Sequence, residues 1–452
     1  MKKIIYVTLF ILLIFFISCQ KDPVTPPVVT HTTQTYIFAN SFGTNVSDLV
    51  VGARQSIDGG IVICGYTIAS QFGDNDIFVT KLDTAGYIVW SKIIGSSGND
   101  QAAYMDTTSD GGFIIVGSSN SFSATNDPVA IKIDNSGNMV WSRYYFWNNN
   151  DVANYVYPTS DFGYIITGSS NSIGAGGYDV YAMKIDVSGA IMWCRAYGGP
   201  LDDVGAAIKP TQDGGYIIAG NTFSFGNSGD IYIIKTFGDG GYNWSKNYGG
   251  LAFDFSRDIM PVAGGYVICG STLSFGVSVE DAYVFSIDNN GFLYWSRTFG
   301  GLGGEDDRFF QMKSVPGGEI ILSGSIKNNA GNDDFCLLRL YGNGAFNWMK
   351  TYGGAAADIS TSVANKSEGG FIAAGNSSSY GAGSNDAYVV SVKSDGTGCL
   401  PNTIITPIGG DPATDVGSPQ TIYNNVNYET RSALFNIADF NVVQNTQCTI
   451  IP

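Results

Sequence analysis

The chain has 452 residues, of which 44 % are hydrophobic and 13 % aromatic, so it carries ample apolar surface to bury and is not a disordered chain. A formal charge of −16 argues against nucleic acid, whose affinity comes from Lys and Arg neutralising phosphates, and against electrostatic docking on anionic lipid. Only 14 % charged residues beside 59 glycines point to short strands and tight turns, not to helices with salt-bridged faces.

Met1-Lys2-Lys3 is a short positive segment, and Ile4 to Ile17 is an apolar run too short to span a bilayer comfortably but suited to a signal-peptide core. Phe16-Ile17-Ser18-Cys19 resembles the lipobox of bacterial lipoproteins, with Phe16 where Leu is usual. The resemblance implies removal of residues 1–18 and acylation of Cys19 by more than one chain, which stable anchoring requires. Gln20-Lys21-Asp22 resembles the charged tag that sends some Gram-negative lipoproteins to the cell surface. The expected address is therefore the outer membrane, facing the cell exterior, with the lipid as the only membrane contact. Residues 19–34 then form the lipidated Cys and a Pro/Thr-rich tether; in polyproline II, at ~3.1 Å per residue, it reaches roughly 45 Å. The single histidine, His31, lies in this tether.

Over residues 35–400 one unit recurs seven times. Its Gly pair is Gly59-Gly60, Gly111-Gly112, Gly214-Gly215, Gly264-Gly265, Gly317-Gly318 and Gly369-Gly370, with Phe162-Gly163 as a degenerate copy, at spacings of 50 to 53 residues. An apolar run follows each pair (Tyr216-Ile217-Ile218-Ala219-Gly220), then an Asp (Asp179, Asp230), a Gly ten residues on (Gly189, Gly240) and, in six copies, a Trp four further (Trp193, Trp244). Each unit reads as four short strands, and the consecutive apolar residues of the second strand suit a sheet covered on both faces. Asp134-Asn135-Ser136-Gly137 suits a type I turn closed by a Gly with positive φ.

The seventh unit has Leu400-Pro401 in place of its Trp strand, whereas Tyr36 to Gly43 looks like a lone fourth strand, with Phe38 in the Trp position. The N-terminal strand therefore completes the last blade and leaves no open edge. The expected fold is all-β: a seven-bladed β-propeller of four-stranded antiparallel blades, closed by an N-terminal strand. These elements resemble the ~50-residue propeller repeats of secreted bacterial proteins, distantly similar to quinoprotein-like propellers. The resemblance specifies fold well and function poorly.

The propeller has no histidine to serve a hydrolytic triad or a zinc site. Active quinoproteins, by the same resemblance, hold an adjacent cysteine pair in the channel, and none occurs here; the repeated Trp is architectural. A second Asp series begins each first strand: Asp48, Asp100, Asp151, Asp203, Asp254, Asp306 and Asp358. Two readings stand for it. The ring could hold a cation such as calcium or a cationic ligand at one mouth of the channel, or each Asp could accept backbone N–H bonds from its own loop. No other cofactor is expected, and no metal is assigned.

The Ser224-Phe225-Gly226 loop and its equivalents place aromatics on the same face, for packing onto the neighbouring blade or for stacking on sugars or a partner protein. Tyr144, Tyr145, Phe146 and Trp147, followed by three Asn, break the repeat and are the candidate ligand contact. Cys64, Cys194, Cys269 and Cys336 read as buried thiols, while Cys399 and Cys448 flank the non-repetitive tail, residues 401–452, and are placed to form a disulfide that straps it to the ring. The leading reading is a membrane-anchored, non-catalytic binding or scaffold propeller at the cell envelope, with an envelope protein or glycan as partner. The alternative is a propeller enzyme, glycan-cleaving or a quinoprotein-like oxidoreductase. An enzyme would show a symmetry-breaking polar cluster in the channel, and a binder an exposed aromatic patch.

Overall fold

A computed structural model describes residues 36–399 apart from 70, 277–278, 301–305, 328–330, and in the tail residues 403–404, 415–417, 422–425, 429–432, 435–439 and 443–450. The signal peptide, Cys19 and the tether with His31 lie outside the described residues.

The chain is all-β, with seven blades of four antiparallel strands arranged as a propeller. Blade 4 is typical: Asp203–Pro210, Tyr216–Thr222, Asp230–Thr236 and Tyr242–Gly249 pair in sequence order. The second and third strands are buried along their whole apolar stretch, because neighbouring blades cover both faces. Blade 7 takes its fourth strand from the N-terminus: Ile37–Gly43 pairs with Asp386–Val392, and Phe38 faces Ser391 as Trp90 faces Lys81.

The repeated Gly and Trp form one inter-blade latch. Gly137 has φ 81°, and a Cβ there would come within 3.0 Å of the Trp90 ring of the preceding blade. Phe38 packs in the same way under Gly86 at the closure. The Asp before each Gly pair also has a partner. Asp110, Asp161 and Asp213 bind the buried ammonium groups of Lys132, Lys184 and Lys235 from the third strands at 2.8–3.0 Å. In the degenerate copy, Phe162 stands where Gly stands elsewhere and keeps a φ of 65°.

The tail adds fifth strands to the outer edges. In chain order, Thr403–Ile404 pairs with blade 6, Asp415–Gly417 with blade 4, Ile422–Asn425 with blade 3, Glu429–Ser432 with blade 2 and Asn436–Asp439 with blade 1. Val443–Ile450 then pairs with the N-terminal strand in blade 7. The tail thus visits the blades in descending order and ends beside the blade it left. There Cys399 and Cys448 form a disulfide with Cα atoms 6.0 Å apart. Phe435 is buried with Phe122 and Tyr144 and pins the belt to blade 2.

Candidate functional site

First strands line the axis, and the Asp that begins each one marks one face of the ring. The Asp side chains turn into their own loops. Asp203 accepts from Gly199 N at 2.7 Å and Ser224 Oγ at 2.8 Å; Asp254 and Asp358 repeat this with Gly250 and Ser274, and with Gly354 and Ser379. Asp48, Asp100 and Asp151 are likewise buried on Thr44, on Ser96 and Ser121, and on Ser172. They therefore staple two loops per blade and do not line the channel. In blade 6 the position belongs to Asp307, not Asp306: Phe309 faces Gly324 as Gly205 faces Gly220, and Asp307 is the buried residue.

At Gly43, Gly198, Gly249, Gly300 and Gly353 the staple lies beside the Asp of the preceding blade's third strand with a Gly Cα between them, as Asp179 and Asp203 do at Gly198; between Asp127 and Asp151 the equivalent position is Phe146. Burial first, then Asp203 and Asp202, pushes Asp179 up to about 6; burial, then Asp127, pushes Asp151 to about 6. One oxygen each of Asp151, Asp179 and Asp203 has no hydrogen-bond partner. Among the described residues no three Asp, Glu, His or Cys groups converge as a metal site. Two carboxylates with raised pKa face one another here, whereas calcium takes six to eight oxygens.

The candidate ligand contact is also inward. Tyr144, Tyr145 and Trp147 are buried. Tyr145 donates to Gly189 O at 3.1 Å as Tyr197 does to Gly240 O, Tyr144 stacks on Phe122, and Trp147 packs edge-on against Tyr181. Phe146 ends that strand, opposite Glu429 of the tail. The break in the repeat thus places Tyr144, Tyr145 and Trp147 in the core, while Asn148 to Asn150 are exposed. Phe225, Phe275 and Tyr380 pack on Tyr232, Tyr283 and Tyr388 of their own blades and also reach the end of the preceding blade, lying against Gly199, Gly250 and Gly354, with the Tyr380 hydroxyl donating to Gly353 O at 3.0 Å.

What breaks the symmetry is the axis. Every first strand carries a β-bulge at the third residue after its Asp, which turns that residue toward the channel. The bulge residue is apolar in Val51, Ala103, Ala206 and Phe310, polar in Asn154 and Thr361, and charged only in Arg257. Together with Tyr104, Tyr155, Asp258 and Gln311 they enclose a cavity of about 220 Å³ on the Asp-bearing side.

Its floor is a fixed network. The Tyr104 and Tyr155 rings stack at 3.8 Å with their hydroxyls 2.7 Å apart; Gln311 Nε2 donates to Tyr104 at 3.0 Å, and Gln311 Oε1 accepts from Ser362 at 2.8 Å. Asp258 accepts from Ile259 N at 2.9 Å and Met312 N at 3.1 Å.

Beneath lie Arg54, Asp106, Lys209 and Lys313. Arg54 Nε binds Asp106 at 2.9 Å, with its guanidinium 4.8 Å from the Tyr104 ring centre. Lys209 donates to the Tyr155 hydroxyl. Burial works to raise the Asp106 carboxyl, yet Arg54, Lys313 and Lys209 hold it below its usual range. Burial, reinforced by Arg54 and Lys209, pulls Lys313 down to about 7.

The same face also carries exposed Leu201, Phe223, Leu251 and Phe253, with the Phe223 and Phe253 rings 5.9 Å apart. A larger cavity, about 380 Å³, lies on the opposite face between blades 4 and 5, but the Asp213–Lys235 pair that lines it recurs in other blades as turn structure.

No protein-family model matches the chain, and no curated protein is similar to it in sequence. Among solved structures it is similar to Sqt1 from Chaetomium thermophilum (12 % identity over 74 % of this chain and 81 % of that one, TM-score 0.42). It is also similar to Sqt1 of the same organism bound to the N-terminus of ribosomal protein L10 (12 %, 83 % and 98 %, TM-score 0.45). A putative 6-phosphogluconolactonase from Bacteroides uniformis matches at 11 % identity over 85 % of this chain and 100 % of that one, with TM-score 0.47. At these scores the likeness adds nothing to what the strand order shows, and it does not bear on function.

Proposed function

We propose that this protein is a non-catalytic binding propeller of the bacterial envelope, held at the outer membrane through acylated Cys19 and the tether of residues 19–34. It would present its Asp-bearing face to an envelope protein or glycan. The carrying observation is the exposed patch of Phe223, Leu251 and Phe253 on the Asp-bearing face, beside which a cavity of about 220 Å³ opens on the axis. Concave sites with a few placed polar groups and a neighbouring apolar patch suit recognition. The Cys399–Cys448 bridge supports an oxidising compartment, in keeping with export.

An enzyme acting on glycans is the second reading, because the channel does hold two carboxylates. Both are engaged: Asp106 is ion-paired with Arg54, and Asp258 accepts two backbone N–H bonds. Neither is presented to solvent as an acid or a nucleophile would need to be.

The test is a photo-crosslinking side chain at Leu251 in intact cells, with Phe237 on the opposite face as control. Reproducible links from position 251 to one membrane-associated partner, absent from position 237, are expected. Recovery of the protein outside the membrane fraction, or release of reducing sugar from envelope glycans by the purified protein, would overturn the proposal.

A further inference from the structure

The channel inverts the charge of the molecule. The chain is formally −16, yet its axis gathers four basic side chains, Arg54, Lys209, Arg257 and Lys313, around two acidic ones, Asp106 and Asp258, with burial drawing the two lysines toward their neutral forms. Buried cations without matching anions are costly, so an arrangement with a surplus gains from an anion supplied from outside.

Arg257 is the group placed to receive it. It is exposed at the cavity mouth, makes no ion pair or hydrogen bond among the described residues, and lies 5.7 Å from the centre of the Phe310 ring. Glu280, whose charge reaches it, is held by Arg308 at 2.5 Å. Asp258, the carboxylate on the cavity wall, is turned onto backbone N–H groups, so it neither binds Arg257 nor competes for it. The rest of the wall is aromatic or small at Tyr104, Tyr155, Phe310 and Ala103 and neutral polar at Asn154, Gln311 and Thr361. A cavity of about 220 Å³ is below the span of drug-sized sites, and takes one short apolar group with its charged end.

From this geometry we infer that the axial cavity binds a carboxylate carried on a short apolar body, the carboxylate on Arg257 and the apolar part against Phe310 and the tyrosines. The inference rests on the binding reading above and names its ligand chemistry. A fork-shaped guanidinium on a carboxylate gives charge-assisted, bidentate hydrogen bonds that a neutral amide cannot match. The source is either a free small acid or the C-terminus of a peptide, since both offer the same group.

The experiment titrates purified protein by calorimetry with 3-phenylpropionate and with its neutral amide, 3-phenylpropanamide. The acid is expected to bind about tenfold or more tightly than the amide, roughly one charge-assisted hydrogen bond. Arg257→Ala, an exposed position whose loss leaves the melting temperature unchanged, is expected to abolish that preference. Acetyl-Gly-Gly-Phe with a free C-terminus, against its C-terminal amide, separates the sources: tighter binding than the small acid assigns a chain terminus, weaker binding a free acid. Equal binding of acid and amide, a preference that survives in Arg257→Ala, or no binding of any probe at millimolar concentration overturns the inference. Crosslinks from Leu251 that persist in any of those cases would leave the binding reading standing and remove only this ligand.

Discussion

Breaking the Cys399–Cys448 bridge should loosen the belt and leave the blades intact. The bridge closes a loop with a sequence separation of 49 residues. In the chain-entropy model such a closure removes about 14 cal/mol/K from the open ensemble, or about 4 kcal/mol at 25 °C. Apart from the bridge, five of the six described belt strands have only two to four residues, and the last has eight. Short ladders on an outer edge cannot replace a term of that size, whereas the inner strands of each blade do not use it.

The assay is hydrogen exchange read by mass spectrometry on wild type and on Cys399→Ser/Cys448→Ser. Protection at 443–450 should fall by up to about a thousandfold, the equivalent of ~4 kcal/mol. Residues 37–43 should lose protection only where they donate to the belt, and 216–222 should not change. Equal exchange at 443–450 in both proteins would refute the closure argument. Loss of protection in every blade would refute its locality, by showing that the belt and blades unfold as one unit.

Two further outcomes follow from single residues. Phe162 is 66 % exposed and holds a φ of 65°, a conformation that costs a non-glycine residue roughly 1–2 kcal/mol, so Phe162→Gly should stabilise the protein by about 0.5–1 kcal/mol after the glycine's own entropy loss. A lower urea midpoint in the variant would contradict this. Lys313 faces Arg54, Asp106, Lys209 and Asp258 and is pulled from 10.5 to about 7. Below pH 7 folded and unfolded chains both hold its proton; from 7 toward 10.5 the unfolded chain holds more, so stability rises with pH. Lys313→Met should therefore exceed wild type most below pH 7, with the margin narrowing by about 2–3 kcal/mol by pH 9. A margin independent of pH would remove Lys313 as a buried cation.

Much of the architecture is written in the repeat, because each repeated residue serves a repeated contact. Gly137 and Trp90 are visible as a pattern since neither works without the other, and Phe38 fits the Trp90 position by the same contact. Blade 6 shows the limit of counting. Asp306 and Asp307 are adjacent, and only the pairing of Phe309 with Gly324 decides between them. Tyr144 to Trp147 are a separate case: the lost Gly-Gly pattern marks them as a candidate ligand contact, but Tyr145 keeps the hydroxyl bond that Tyr197 makes, and Tyr144 and Trp147 are buried. The belt left little trace, because edge strands of two to four residues need no alternation of their own when the blade supplies the template.

The axial cluster was legible in principle and missed for want of the right comparison. Counting six residues from each first-strand Asp yields Arg54, Asp106, Tyr157, Lys209, Met260, Lys313 and Ala364, and four residues yields Gly52, Tyr104, Tyr155, Ala207, Asp258, Gln311 and Ser362. Elsewhere in the unit a position keeps its chemistry because all blades face the same neighbours. On the axis seven side chains converge on one another, and seven identical ones could not fill the space or balance their charge. Some divergence there is therefore demanded by packing alone, and divergence by itself does not signal a site. The packing requirement would be met by any neutral, well-filled set. It does not call for a cation surplus, for Lys313 held near 7, or for an exposed Arg257 with no partner of its own. Those features cost stability that the fold could have kept, and a ligand's negative charge is the term that would offset them.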